Sequence, residues 1–175
     1  MGTAQITEEI ANEIKKQLEG GATVIMTALS GKVNKHNQVF DTPLPGMLTD
    51  VFGVKVRGFD RAVTHVSSVN VGSLEKRYIE FRRHDVSIMQ NDEKWMDYVN
   101  YHEFLELTTA ESIAEYSGDI WPLKTAVSCN TYGKGKAIYI GVPANEQLLQ
   151  AVLKNICGID AAYPNVPRGV VAREL

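Results

Sequence analysis

The sequence of 175 residues predicts an α/β fold, with one domain over residues 1–160 and an extended tail over 161–175. Three patterns predict this fold class. An amphipathic helix leads through a glycine pair into a short apolar strand, a β-hairpin spans 123–142, and a second amphipathic helix follows the hairpin. Helices that alternate with apolar strands are typical of a sheet that carries helices on its faces.

The first helix is expected over residues 7–19. Thr7 is a suitable N-cap, and Glu8 and Glu9 place negative charge at the positive end of the helix dipole. The pair Gly20-Gly21 ends the helix. The side chains that should face the core are Ile10, Ala11, Ile14 and Leu18.

A strand is expected over residues 23–27, because a short apolar run without alternation is typical of a strand covered on both faces. Ser30-Gly31 leaves this strand and opens a polar loop over 32–42. The carboxyl end of a strand is where α/β folds tend to bind ligands, but an ordinary turn gives the same pattern and is favoured.

The next segment predicts a short helix between Pro45, at its first position, and Gly53, just past its end. Val54-Lys55-Val56 then alternates as a strand, and 98–107 is a further strand. Residues 110–116 fit one helical turn or a strand equally well. Several short strands between 59 and 88 are predicted from Val66, Val69, Val71, Tyr78, Ile79, Phe81, Val86 and Ile88.

The hairpin over 123–142 has Gly133-Lys134-Gly135 at its tip. This glycine-lysine pattern is not a phosphate-binding loop, because that motif needs G-x-x-x-x-G-K-[ST] between a strand and a helix. The second arm should point two sets of side chains to opposite faces, Ile138, Ile140 and Val142 to one and Tyr139 and Gly141 to the other.

The last helix begins after Pro143 and Asn145 and ends at Gly158. Its core-facing side chains should be Leu148, Leu149, Val152, Leu153 and Ile156.

The composition argues against several classes of function. A formal net charge of −3 disfavours a nucleic-acid partner, because neutralising phosphates needs a basic surface. The sequence has no run of 18 apolar residues, so no membrane span is expected, and the N-terminus has no apolar signal core. We therefore expect a cytoplasmic protein. Cys129 and Cys157 form no C-x-x-C motif, so two free thiols are expected.

The residues give little support for catalysis. Neither cysteine lies on a nucleophile elbow motif, and Glu80, Glu103 and Glu106 are carboxylates of the kind found on any surface. No metal or cofactor site is expected, since the histidines do not pair at ligand spacing; they are His36, His65, His84 and His102. Trp95, Trp121 and several tyrosines could instead line a sugar platform, a subunit interface or the core.

A set of glycine, proline and polar positions, taken in order, resembles a known domain. The matching residues are Gly20, Gly21, Ser30, Gly31, Pro45, Gly46, Gly53, Asn130, Tyr132, Gly133, Gly135 and Gly141. Their order and spacing are similar to the middle, or trimerisation, domain of glycoside hydrolase family 42 β-galactosidases. The resemblance covers about 7–157 and is strongest over 18–54 and 125–142.

The resemblance implies a fold and a role. The fold would be class I glutamine-amidotransferase-like (flavodoxin-like), a layered, mostly parallel sheet with helices on both faces. The family's parent enzymes cleave terminal β-galactosides with retention, using two glutamates of a (β/α)8 barrel that 175 residues cannot also contain. No residue here inherits a catalytic role, and no cofactor is implied.

The resemblance also implies partners and neighbouring segments. The domain would associate with copies of itself, as a trimer in the parent, and with the parent's catalytic barrel. A family strand that precedes the first helix is expected to be missing, and 167–173 resembles the passage into a small C-terminal β domain. The loop 30–46 and the aromatic segment 95–104 are the candidate interface segments.

Two rival functions stay open from the sequence. One is a small amidotransferase-like hydrolase that uses Cys129 or Cys157 with one histidine. The other is a galactoside-binding module that uses Trp95 or Trp121.

Overall fold

The computed structural model describes residues 4–61, 87–96, 99, 101–117 and 123–159. The helices in these ranges are α1 (Glu8–Glu19), α2 (Thr49–Phe52, preceded by a 3-10 turn at Gly46–Leu48) and α3 (Glu146–Asn155). The strands are β1 (Thr23–Thr27), β2 (Val54–Arg61), β3 (Ile88–Gln90), β4 (Glu93–Met96), β5 (Tyr101–Leu107), β6 (Glu111–Tyr116), β7 (Thr125–Tyr132) and β8 (Gly135–Ile140).

The described strands form a six-stranded sheet and a separate two-stranded ribbon. The sheet has the order β1-β8-β7-β6-β3-β4, and β2 pairs with β5 in the ribbon. Only the β1–β8 pair is parallel among these strands. The α/β class is therefore confirmed, but the described sheet is mixed, whereas the resemblance implied a mostly parallel one.

Strand β8 separates two apolar layers, as its alternation predicts. Ile138 and Ile140 join a cluster that includes Leu148 and Val152 of α3. Tyr139 packs on the other side, in a cluster with α1, α2 and the ribbon. Helices therefore cover both faces of the sheet at this strand.

The first helix begins and ends as predicted. The Thr7 side chain accepts a hydrogen bond from the Ile10 backbone N–H, and Gly20 caps the C-terminus. Ala11 and Leu18 are buried, but Ile10 is 41% exposed. The prediction that Ile10 faces the core was wrong. The buried face of α1 is narrower than the face that its four apolar residues would form together.

Strand β1 is covered on both faces, as predicted. Ile25 packs against one apolar cluster, and Val24 and Met26 against the other. The strand pairs with β8 alone, so it forms one edge of the described sheet.

The hairpin is confirmed, with a shorter tip than predicted. Tyr132 pairs with Gly135, so the turn is Gly133-Lys134 and Gly135 already belongs to β8. Gly133 has φ +60°, which the first central position of a type II′ turn requires.

Two other segments are settled by the structure. Residues 111–116, ambiguous in sequence, form strand β6. Asn145 caps α3 by accepting a hydrogen bond from the Leu148 N–H at 2.9 Å.

The strands predicted from positions 66 to 86, and the tail 161–175, lie outside the described residues. None of the helices seen in the described ranges is both long and apolar enough to cross a membrane.

Candidate functional site

The residues that carry the family resemblance meet in groups. The first group joins the end of α1, at Gly20 and Gly21, to the hairpin turn. A Cβ on Gly135 would collide with the carbonyl oxygens of Leu18 and Ala22, and Tyr132 faces Gly135 across the hairpin. Only glycine at this position lets the hairpin lie directly against the end of α1.

The second group joins the exit of β1 to the start of the 3-10 turn. Gly31 contacts Pro45, with the carbonyl oxygen of Pro45 3.1 Å from where a Gly31 Cβ would lie. Gly46 lies under the ring of Phe40, and Ser30 is buried. The loop after β1 is thus closed by its own residues.

The third group joins α2 to the hairpin. The Asn130 side-chain amide donates to the carbonyl of Val51 at 2.8 Å. Gly53 next to it is left-handed, with φ +64°, and ends α2. Gly141, beyond the hairpin, lies beside the hydroxyl of Tyr116. These groups tie backbone segments together across the sheet.

A buried carboxyl group, Glu103, lies where the ribbon meets the sheet. The residue is 1% exposed. Its Oε1 accepts from the Leu29 N–H at 3.1 Å and from the Tyr101 hydroxyl at 3.2 Å, and Oε2 accepts from the Tyr139 hydroxyl at 2.8 Å. No local pattern in the sequence signals this role, because Glu103 and Glu106 stand in similar contexts on one strand.

The tyrosines around Glu103 remain hydrogen-bond donors. Burial, reinforced by the negative charge of Glu103, raises the pKa of Tyr139 and of Tyr116. The same two causes raise the pKa of Tyr101. The Tyr116 hydroxyl lies 3.2 Å from the Glu103 carbonyl and 3.1 Å from the Gly141 carbonyl. The arrangement holds β5 against β8, since each donor is engaged within the protein.

The chain turns sharply after β1 at Leu29, which has φ +68°. A sharp turn at the end of a buried strand is where an elbow holds a catalytic nucleophile. Here the position carries a leucine, whose side chain has no nucleophilic atom. The sequence has no elbow motif at this turn, because Leu29 stands where the motif would have its nucleophile.

Cys129 does not share its cleft with an imidazole among the described residues. Cys129 lines an open cleft of about 530 Å³ with Glu111 and Lys136, and no histidine is among the described lining residues. Burial raises the pKa of Cys129, which disfavours the reactive thiolate. Across the described residues, no set of three potential metal ligands comes together.

The histidines and tryptophans can be placed only in part. His102 is 2% exposed, and neither of its ring nitrogens has a hydrogen-bond partner among the described residues. Burial lowers the pKa of His102. Trp95 is 1% exposed and belongs to the core, so the hypothesis that Trp95 lines a sugar platform was wrong. The sequence candidates His65, His84, Glu80 and Trp121 lie outside the described residues.

A stacked aromatic pair, exposed at Phe59 and half-buried at Tyr101, lies beside Glu103. The rings of Phe59 and Tyr101 stack with centroids 5.6 Å apart, and Phe59 is 63% exposed. The Lys32 ammonium lies 5.4 Å from the Phe59 ring centroid and 3.4 Å from the Tyr101 hydroxyl. Lys32 and Tyr101 come from the two candidate interface segments predicted from sequence, and Phe59 lies outside both segments.

Comparison with known proteins identifies the domain. The family model described as the β-galactosidase trimerisation domain matches residues 4–161. β-Galactosidase LacZ of Heyndrickxia coagulans is 27% identical over 171 residues, covering 95% of this chain and 22% of that protein. β-Galactosidase BgaA of a Planococcus strain is 26% identical over 172 residues, covering 97% of this chain and 23% of that protein.

Solved structures show the same fold. The β-galactosidase of Rahnella sp. R3 superposes with a TM-score of 0.70 at 20% identity, covering 95% of this chain and 23% of that chain. The β-galactosidase of Bacillus circulans gives 0.68 at 22% identity, covering 90% and 22%. The chain spans about a fifth of the length of the curated relatives it matches. Since the family model covers most of its length, this chain belongs to the β-galactosidase trimerisation domain family.

Proposed function

We propose that this chain is a non-catalytic self-association domain of a β-galactosidase-type glycoside hydrolase. The observation that carries the proposal is the match of residues 4–161 to the trimerisation domain family. Copies of the domain would hold the parent's catalytic barrels in a ring of three, through a head-to-tail contact that closes by rotation.

The buried polar groups support a scaffold role. Glu103 receives its hydrogen bonds from Leu29, Tyr101 and Tyr139, all within the domain. Polar groups satisfied in this way rigidify a core and specify one arrangement of its strands. A rigid domain loses little conformational entropy when a copy docks, which favours association.

We also propose kinship with the class I glutamine-amidotransferase-like fold. The support is a parallel pair, β1 and β8, with α1 on one face and α3 on the other. In this interpretation the antiparallel strands β7, β6, β3 and β4 extend that layered centre on one side. A cytoplasmic location fits the two free cysteines, because a reducing compartment preserves thiols.

Mass measurement in solution tests the function. Sedimentation velocity over a wide concentration range should show the 175-residue chain associating, with a trimer as the largest abundant species. An assay with a chromogenic β-galactoside should show no turnover. A chain that stays monomeric at high concentration, or one that hydrolyses the galactoside and loses this activity on Cys129→Ala or Cys157→Ala, would contradict the proposal.

A further inference from the structure

The β2–β5 ribbon has one face turned to the core. Cross-strand pairs Val54–Leu107 and Val56–Leu105 lie on that face. Val54 and Leu105 are buried, in the cluster that also contains residues of α1 and α2. The opposite face carries the polar pair Lys55–Glu106 and, further along β5, the buried side chains of Phe104 and His102.

A β-bulge in β2 changes which residues join this face. The register shifts between Val56 and Gly58, so Arg57 is the extra residue. In a regular strand Phe59, three positions after Val56, would lie on the opposite face. The bulge instead pairs Phe59 with Glu103, which shares the face of Leu105 because it is two residues away on an unbulged strand.

The face that carries Val54 and Val56 therefore continues beyond the part that is buried among the described residues. Leu105 and Glu103 are each 1% exposed, yet Phe59, the next side chain along the face, is 63% exposed. Tyr101 stacks on Phe59 and is itself fixed by hydrogen bonds to Glu103 and Lys32.

The surface around Phe59 is preorganised for contact. We call Leu29, Lys32, Phe59 and Tyr101 the outer ribbon surface. Leu29 is 38% exposed, and its backbone N–H is bound to Glu103, which also accepts from Tyr101. Aromatic side chains that are already held in place lose little entropy on binding and are typical of the residues that dominate interface energies.

We propose that the outer ribbon surface is the contact that receives a second copy of this chain. The proposal rests on the proposed function, since the family is a trimerisation domain and a ring requires each copy to seat another. The occupant should bring an apolar group onto the Phe59 ring and a carboxylate to the Lys32 ammonium. A stable contact buries roughly 800 Å² per partner, so the four residues would form its centre.

The test compares Phe59→Ala with Ile159→Ala in the 175-residue chain. Ile159 is 58% exposed and follows α3, on the other side of the sheet, so it is a matched apolar control. Phe59→Ala should raise the midpoint concentration for association at least about tenfold by sedimentation velocity, as truncating a central interface residue does. Ile159→Ala should leave the midpoint unchanged.

A second variant guards against a folding artefact. Lys32→Glu reverses the charge at the same surface and should also weaken association, while far-ultraviolet circular dichroism and the unfolding midpoint stay like those of the native chain. Phe59→Leu, which keeps an apolar group, should recover part of the association.

The outcomes separate this inference from the proposed function. A native chain that never associates would overturn both. A native chain that associates, with Phe59→Ala and Lys32→Glu unchanged, would overturn only the surface assignment. If methyl β-galactoside shows saturation-transfer signals that disappear in Phe59→Ala while the mass is unchanged, the surface is a sugar platform and the copy-binding inference is wrong.

Discussion

The Tyr139 hydroxyl donates to Oε2 of Glu103 at 2.8 Å, and the two residues are 0% and 1% exposed. Tyr139 belongs to β8 in the sheet and Glu103 to β5 in the ribbon. This hydrogen bond therefore joins the two β structures of the domain. The backbone bond from Glu103 N–H to the Gly141 carbonyl, at 2.7 Å, lies beside it.

Tyr139→Phe should destabilise the domain. The substitution keeps the ring that packs on Phe52 but leaves Oε2 of Glu103 without its donor. Leaving a buried acceptor unsatisfied costs about 1–3 kcal/mol in the free energy of unfolding, measured by urea denaturation. Tyr132→Phe is the matched control, because Tyr132 is half-buried on the hairpin, and an equal loss in both variants would contradict the role of the hydrogen bond.

Gly135→Ala should loosen the contact between the hairpin and α1. The added methyl group would collide with the backbone carbonyl oxygens of Leu18, in α1, and of Ala22, directly before β1, and neither can move without shifting the backbone. We expect a loss of about 3 kcal/mol, since forced overpacking against backbone is expensive.

Gly158→Ala is the control for Gly135→Ala. Gly158 has φ +68°, but no heavy atom of a neighbouring residue lies within 4 Å of the point that an alanine Cβ would occupy. The cost there is backbone strain alone, about 1 kcal/mol. Thermal unfolding of both variants would compare the two losses of stability. A larger loss for Gly158→Ala than for Gly135→Ala would rule out the steric explanation.

Asn130→Ala should separate α2 from the hairpin. Its amide donates to the Val51 carbonyl at 2.8 Å, and the residue is 5% exposed. Losing this buried bond should cost about 1–3 kcal/mol. Hydrogen exchange should become faster in α2 and β7 before it does so elsewhere. Unchanged protection of α2 would show that the hydrogen bond from Asn130 does not hold α2 to the hairpin.

The stability of the domain should fall as the solution is acidified below neutrality, through His102. Burial lowers the pKa of His102 in the folded state. As the pH drops below about 6.5, the unfolded chain binds a proton that the folded protein does not, so the free energy of unfolding decreases until the folded pKa is reached.

His102→Phe should reduce this pH dependence. The ring would keep its contacts with Phe104 and Tyr116 without a titrating group. Urea denaturation at several pH values between about 7.5 and 5, a range that spans the ordinary histidine pKa, provides the comparison. Parallel profiles for the native chain and the variant would show that His102 is not responsible.

Local features were predictable from the sequence because their causes are local. Thr7 and Asn145 cap the helices, and Gly53 and Gly133 have the backbone angles that their positions require. The alternation at 138–140 also identified the two faces of β8, since a strand has a period of two.

Features that depend on distant segments were not predictable. Glu103 and Glu106 both lie on β5, and one is buried while the other forms an exposed ion pair with Arg57 at 2.6 Å. Nothing near either residue in the sequence distinguishes them, because the covering atoms come from β8 and from the turn after β1. The face on which Phe59 lies was not predictable for the same reason, since the bulge that orients it is a property of strand pairing.

The bulge at Arg57 lets β2 carry one residue more than its partner strand while Phe59 keeps its place opposite Glu103. Loss of that one residue would restore regular alternation and leave Phe59 two positions after Val56, still opposite Glu103 and on the same face of the ribbon. The deletion would remove the ion pair between Arg57 and Glu106 but not the exposed aromatic position. We therefore expect that a relative lacking a residue at this point can present an aromatic side chain at the same place on the ribbon.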